Sequence, residues 1–599
     1  MSAQSIVILV TIGIYMLFML WLGNRMSKRL SGLDDYFLAG RNLPWFVLTM
    51  TFAATVANTA QLMGQPGFAY STGFSYVFWS GIASSTIGLL LLPRIGVRLR
   101  NLNLSTISDF VYERFPGSNR LAYLVSAWQV VWAVFVTALS LFGASLLVEV
   151  ITGLSWTIAI LIIAVVTVIY TISGGLRAVV VTDAVQMLII ILGVSILFFL
   201  LLFKYGFFTS FFSGYLGADG YTLSKAAEGF NLYAGFTDIF KLPPGMDSIL
   251  GLLAFIMATS LWIPVDLGFA QRMLAARSME EGRKGAYAFF GIDYFNNIVL
   301  VLIGVYGVIF VPGLTNTDEV VIRMVNETFP IAGAALVVSA VAAAAMSTIS
   351  TYLNAGSSIL VKNFMLKLKP DLAAGRQIFW SKVFTAVICL AALSFGPFIS
   401  SSGIVAAAIA VQMVLVTSLA PVVILGVFWK RLTEKAAFWG CLVNSIITFI
   451  LMMAAGGPFA AIGGTGFFGI PVIFWGTIVA IILFGGISLL TTYKPESMSV
   501  AFREIFEGKR AKVSNKDLVF LGSLWAVLFG LVIYHKVTGS TASFPPLSGP
   551  FAWMTDTFFI LSSLGVSITA IWIIVKVVKF IREEAFDEIS KPHEEERGA

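Results

Sequence analysis

The chain has 599 residues, 58% of them hydrophobic and only 12% charged, with a mean hydropathy of +0.91. Soluble domains of ordinary composition do not reach such values, so the expectation is an all-α polytopic membrane protein with no appended soluble enzyme or kinase domain. The net charge of +7 is no sign of nucleic acid, because in a membrane protein the sign of each loop matters more than the sum.

Apolar runs of about 20 residues, long enough to cross roughly 30 Å of hydrocarbon, recur about fifteen times along the chain. The first, "IVILVTIGIYMLFMLWLG", has no basic residue before it and Arg25, Lys28 and Arg29 after it, the reverse of a secretory signal. It reads as an accessory span within residues 1–43. A first set of five runs follows within 44–205, then a long outer loop at 206–247, then a second set of five within 248–430. Residues 431–599 hold about four accessory helices and a polar tail. Because five is odd, the second set enters the membrane from the opposite side, the arrangement of an inverted repeat. Alternate loops such as "PRIGVRLRN", "ARSMEEGRKG" and "WKRLTEK" carry the Lys and Arg, which puts them in the cytoplasm, the amino terminus outside and the carboxyl terminus inside a plasma (inner) membrane.

The first helix of each set is weakened. "LTMTFAATVANTAQLMGQPGFAY" holds Thr51, Thr55, Asn58, Thr59, Gln61, Gly64, Pro66 and Gly67, and "LWIPVDLGFAQRM" holds Pro264, Asp266 and Gly268. Breaks at matching positions point to a midplane binding site, since unwinding frees carbonyls for cations and half-helix ends for solute. In "SAVAAAAMSTISTYLNAGSS", Ala344, Ser347, Thr348 and Thr351 share one helical face, with Ser350 at its margin. Such a face is either packing glue or a set of hard oxygen ligands for Na⁺. In "GGLRAVVVTDAVQ", Asp183 enters a span about two turns in and needs a partner, either Arg177 or a bound cation. Cys389 and Cys441 lie within apolar runs and read as packing residues. No G-x-x-x-x-G-K-[ST] loop occurs, which excludes a nucleotide-driven pump.

"DDYFLAGRNLPWFV", "GGLRAVVVTDAVQ", "FAQRMLAARS", "AAAMSTIST" and "LGVFWKR" together resemble the sodium:solute symporter family. The resemblance implies the leucine-transporter-like fold, alternating access, and import of a small organic solute driven by one or two Na⁺. By that resemblance one Na⁺ would meet backbone oxygens of Ala54, Ala57 and Ala344 and the hydroxyls of Ser347 and Thr348, and a second would meet Asp183, Ser347, Ser350 and Thr351. It also implies a monomer. Where proline carriers hold an acid this chain has Val56, and where galactose carriers hold a base it has Asp293. Asp266 and Asp293 are therefore expected on the central cavity, with Trp128, Trp132, Trp262 and Tyr294 for cation–π contact and Asn58, Thr59, Gln61 and Gln412 as polar ligands. An amine-bearing or cationic solute fits two carboxylates in lipid. The alternatives are a neutral or zwitterionic solute such as an amino acid or sugar, a channel, and a transporter-like sensor with a separate partner.

Overall fold

The computed structural model describes residues 3–26, 33–73, 82–205, 249–328, 331–402, 404–457, 467–493 and 498–506, with Trp572, Val575, Lys576 and Lys579 beyond them. The expected outer loop at 206–247, the carboxyl-terminal tail and most of the last accessory runs lie outside the described residues. In chain order the helices are α1 (Ala3–Met26), α2 (Leu33–Leu38), α3 (Trp45–Val56), α4 (Gln65–Thr72), α5 (Ile82–Asn101), α6 (Phe110–Arg114), α7 (Asn119–Thr152) and α8 (Trp156–Tyr205). The second half continues with α9 (Ile249–Ser260), α10 (Leu267–Leu274), α11 (Met279–Phe310), α12 (Val320–Thr328), α13 (Ile331–Ile359), α14 (Ala374–Leu393), α15 (Gly396–Ser402) and α16 (Ile404–Phe428). Then come α17 (Glu434–Ala454), α18 (Val472–Ala480), α19 (Ile487–Leu490) and α20 (Val500–Phe506).

Among the described residues nine helices are long and apolar enough to cross a membrane, or ten when the bent pair α3 and α4 counts as one span. The sequence reading of about fifteen extends over residues that are not described. Length accounts for part of the rest: α9 has 12 residues, about 18 Å of helix, so it crosses only together with its continuation. The last two runs of the first set are joined as α8, kinked at Gly175, whose φ of 56° is a left-handed value that glycine adopts freely. A Cβ there would lie 2.4 Å from Tyr36 O, so the kink is also where α2 presses onto α8.

Both broken helices are present. α3 ends at Val56, Ala57 leaves the helix with ψ 61°, and after a π turn at Ala60–Gly64 the chain resumes as α4, bent by 60°. In the second, a 3₁₀ turn at Ile263–Val265 leads to Asp266, extended at φ −68° and ψ 131°, which starts α10. The segments flanking these two breaks are tied by backbone bonds, Leu43 N to Ala275 O at 3.1 Å and Arg277 N to Leu43 O at 2.9 Å. α11 packs along α3, α4 and α5, while α13 packs against α7 and α8. The approach of α11 to α4 depends on Gly304, where a Cβ would lie 2.1 Å from Pro66 O.

The two sets also share a detail that the sequence reading lacked. After the second long helix of each set, a 3₁₀ turn capped by a side chain opens a short helix: Thr106 caps Ile107–Asp109 before α6, and Asn316 caps Thr317–Glu319 before α12. Among the accessory residues, the short helix α20 packs its Phe502 on Phe110. Beside it the buried Arg114 donates to Gly426 O, Lys430 O and Leu432 O, closing the carbonyl end of α16.

Candidate functional site

Two clusters of polar side chains lie around the helix breaks, the second of them fully buried, and a cavity opens beside the first broken helix. The first forms where α3 ends against α13. Because Ala57 departs from helical geometry, Asn58 N donates to Val56 O rather than to Ala54 O. Ser347 Oγ reaches Ala54 O at 2.9 Å and Ala344 O at 3.0 Å, and Thr348 Oγ1 donates to Thr55 O at 3.4 Å. Ala54, Ala57, Ala344, Ser347 and Thr348 are all buried. Ala54 O, Ala344 O and Ser347 Oγ thus meet, with Thr348 Oγ1 turned to the neighbouring Thr55 O, neutral oxygens of a kind suited to a hard cation; Ala57 is buried at the break beside them.

The second cluster centres on Asp183, whose ion pair is with Arg272 of α10, where the sequence reading named Arg177 or a bound cation. Arg272 Nη2 lies 2.7 Å from Asp183 Oδ2 with both side chains fully buried. Thr51 Oγ1 donates to the same carboxylate oxygen at 2.5 Å and accepts from Arg272 Nε at 2.7 Å, while Arg272 Nη2 also donates to Thr351 Oγ1 at 2.5 Å. The remaining hydroxyls of the expected second ion set turn inward along α13: Ser350 Oγ and Thr351 Oγ1 both donate to Ser347 O, at 3.0 and 2.8 Å. The guanidinium stands among the residues that were expected to meet a second Na⁺. Asp183 Oδ1 has no side-chain or backbone partner.

The third arrangement is a cavity of about 110 Å³ bounded by Val56, Asn58, Ala60, Gln61, Gln65, Thr259, Trp262, Ile263, Phe289, Asp293, Asn297, Ala408, Ile409 and Gln412. Gln61 Nε2 donates to Asp293 Oδ1 at 2.7 Å and to Asn297 Oδ1 at 3.1 Å, and Asn297 Nδ2 donates to Asp293 Oδ2 at 3.1 Å. Asn58 Oδ1 accepts from Gln61 N at 2.9 Å, which shapes the turn between the halves of the first broken helix. The side-chain oxygens of Gln61 and Gln65 remain without protein partners. The chamber wall therefore offers a carboxylate and unmet acceptors beside an indole and a phenyl ring.

Of the residues expected on the central cavity, Asn58, Gln61, Trp262, Asp293 and Gln412 line this one chamber. Asp266 does not belong with them. Its Oδ1 accepts from Phe269 N at 2.9 Å as the N-cap of α10, and its Oδ2 accepts from Trp132 Nε1 and from Tyr352 Oη, each at 2.7 Å. Asp266 is 1% exposed and absent from the chamber wall. A carboxylate at the amino end of a half-helix, with three donors, is satisfied without a ligand. Trp132 is likewise spent on Asp266, its ring 6.0 Å from that of Trp262. Thr59 is turned to α7, donating to Leu139 O at 3.2 Å and lying where a Cβ on Gly143 would be 2.5 Å away. Trp128 is half-buried and away from the chamber wall, and the side chain of Tyr294 lies outside the described residues.

The reading missed Gln65, Phe289 and Asn297, although each follows from helix spacing. Gln65 is four residues from Gln61, and Phe289 and Asn297 are each four from Asp293. It also missed Arg272 and Tyr352, which meet their partners 89 and 86 residues away with no local signal.

The model of the sodium:solute symporter family matches residues 36–444. The chain is similar to the sodium/pantothenate symporter of Haemophilus influenzae, 28% identical over 448 residues, covering 72% of this chain and 86% of that protein. It is also similar to the sodium/glucose cotransporter of Vibrio parahaemolyticus, 26% identical over 486 residues, covering 74% of this chain and 83% of that one. Among solved structures, a Na⁺-coupled sialic acid symporter in a substrate-bound outward-open state aligns with a TM-score of 0.66 at 21% identity, over 81% of this chain and 98% of that chain. Mhp1, a nucleobase-cation-symport-1 family transporter, aligns at 0.52 with 15% identity, over 79% and 98%. The fold is that of these secondary transporters, and the chain belongs to the sodium:solute symporter family.

Proposed function

We propose that this chain imports an amine-bearing or cationic small solute with one Na⁺ per cycle, by alternating access around the two broken helices. The observation that carries the solute class is Asp293, a carboxylate on the chamber wall beside the unmet oxygens of Gln61 and Gln65 and the ring of Trp262. Acceptors and an aromatic face are what an ammonium group needs. Asp266 lends this reading no support, since its charge is met by α10, Trp132 and Tyr352.

The Na⁺ is assigned to Ala54, Ala57, Ala344, Ser347 and Thr348, a reading supported by the meeting of Ala54 O, Ala344 O and Ser347 Oγ between the helix break and α13. At Asp183 the charge of Arg272 makes the pair neutral, leaving no net negative charge to draw a second Na⁺ from water. That favours one ion over two, with Arg272 as a tethered cation. The loop charges support an outside amino terminus in a plasma membrane.

A second reading has its own support. Asp293 already receives amide donors from Gln61 and Asn297, and unmet amide oxygens accept from hydroxyls as readily as from amines. A neutral polyhydroxylated solute would use the same wall, and relatives named for glucose, inositol and pantothenate fit it. Uptake into proteoliposomes of a radiolabelled panel separates the readings: choline, a diamine, betaine and proline against glucose, inositol, pantothenate and a sialic acid, with and without an inward Na⁺ gradient. Sodium-driven uptake confined to the amines supports the first reading. Uptake of the sugars, inositol or pantothenate instead establishes the second.

A further inference from the structure

Below the cation cluster, α13 keeps a polar stripe. Ser347, Thr351, Asn354 and Ser358 follow one another at spacings of four, three and four residues and share one face of the helix, all buried. Three of them have partners, Ser347 on Ala54 O, Thr351 on Ser347 O and Ser358 on Ala355 O. Asn354 is different. It is 1% exposed, and neither its Nδ2 nor its Oδ1 meets any protein group. An amide has two donors and an acceptor, and buried polar groups are seldom left wholly unmet.

Its surroundings point the same way. One turn before it on this face, Thr351 accepts from Arg272, which holds Asp183, and Asp183 Oδ1 is unmet as well. On α8, Gln186 lies three residues beyond Asp183, with its Oε1 unmet while its Nε2 donates to Tyr15 Oη. At its far end the stripe passes into the π turn Leu360–Met365, where Asn363 Nδ2 donates to Asp109 Oδ1 at 2.7 Å, and Asp109 is half-buried. Asn354 thus stands on a buried stripe that runs from the cation cluster toward Asp109, and a buried amide with no protein partner is a ligand for water and for a cation travelling with it.

We infer that Asn354 is a way-station for hydrated Na⁺ on the release route from Ser347 and Thr351 to the face bearing Asp109, an inference that rests on the sodium-symport reading. The Asn354 amide takes over water ligands after the ion leaves the Ser347 hydroxyl.

The test uses the full chain in vesicles with Asn354→Cys in a background of Cys389→Ser and Cys441→Ser, both native cysteines being buried. A membrane-impermeant methanethiosulfonate is applied to each face in turn, in Na⁺ and in N-methylglucamine. The expected result is reaction from the Asp109 face alone, slowed about tenfold by Na⁺ as the loaded state is populated, with that slowing abolished by adding Ser347→Ala. No reaction in either ion, in a variant that still shows a Na⁺-dependent rise in melting temperature, means dry packing and overturns the inference. Reaction equal in both ions shows water without a cation route and overturns it too. If the parent protein itself shows no Na⁺-dependent rise, the symport reading fails and takes this inference with it.

Discussion

Asp266 and Asp293 are both carboxylates in the apolar interior, 27 residues apart in sequence, yet their surroundings make them opposites. Asp266 is enclosed by a helix amino end, an indole and a phenol. Asp293 sits on a chamber wall, with two amide side chains as neighbours. A charge in a membrane segment must have a partner, but that partner can be the fold itself. Asp183 of α8 makes the point a third time, since its partner is a buried guanidinium from the second broken helix.

The contrast can be broken by mutation, and the largest effect is expected where the fold supplies the partner. Arg272→Met strands Asp183 in the interior and is expected to cost about 3–5 kcal/mol of stability, measured by denaturation in detergent. Asp183→Asn in the same chain should restore most of it. In surviving Arg272→Met protein, equilibrium binding of ²²Na⁺ should rise from one ion to two, because the tethered cation is gone; an unchanged stoichiometry would break the comparison between the two cation clusters. Asp266→Ala removes a cap and leaves Trp132 and Tyr352 without their acceptor, for an expected loss of about 2–4 kcal/mol.

Asp293→Asn should do the reverse, changing stability by under about 1 kcal/mol while weakening the apparent affinity for the transported amine about ten- to hundredfold, the worth of a charged hydrogen bond. Saturation kinetics of uptake beside a melting curve measures both. The smallest effect sharpens the comparison within one broken helix. Thr59→Val loses a bond to Leu139 O, with an expected cost of about 1 kcal/mol and unchanged solute affinity, whereas Gln61→Leu should reduce that affinity markedly.

Much of this arrangement was legible in the sequence because it is local. Hydropathy gave the membrane class and the spans of α7, α11, α13, α14 and α16 to within a few residues. Polar, proline and glycine residues marked both breaks, and helix spacing placed Ser347 and Thr348 on one face, which the structure packs against α3. Asp293 came from the resemblance and Gln61 and Gln412 from their polarity within apolar runs, and the three line one chamber. What could not be read is long-range. Nothing near Asp183 announces Arg272, and nothing near Asp266 announces Trp132 or Tyr352, since those pairings exist only once helices cross. Thr59 and Gln61 are two residues apart in one polar run, and only the bend after Val56 decides which faces α7 and which faces the chamber.

The most direct test is sodium-driven uptake of an amine from the panel into proteoliposomes carrying the native chain, Asp293→Asn or Asp266→Asn, each normalised to folded protein. The account predicts that Asp293→Asn loses high-affinity uptake while the folded fraction of Asp266→Asn keeps it. Native-like uptake by Asp293→Asn, with selective loss in folded Asp266→Asn, would contradict it.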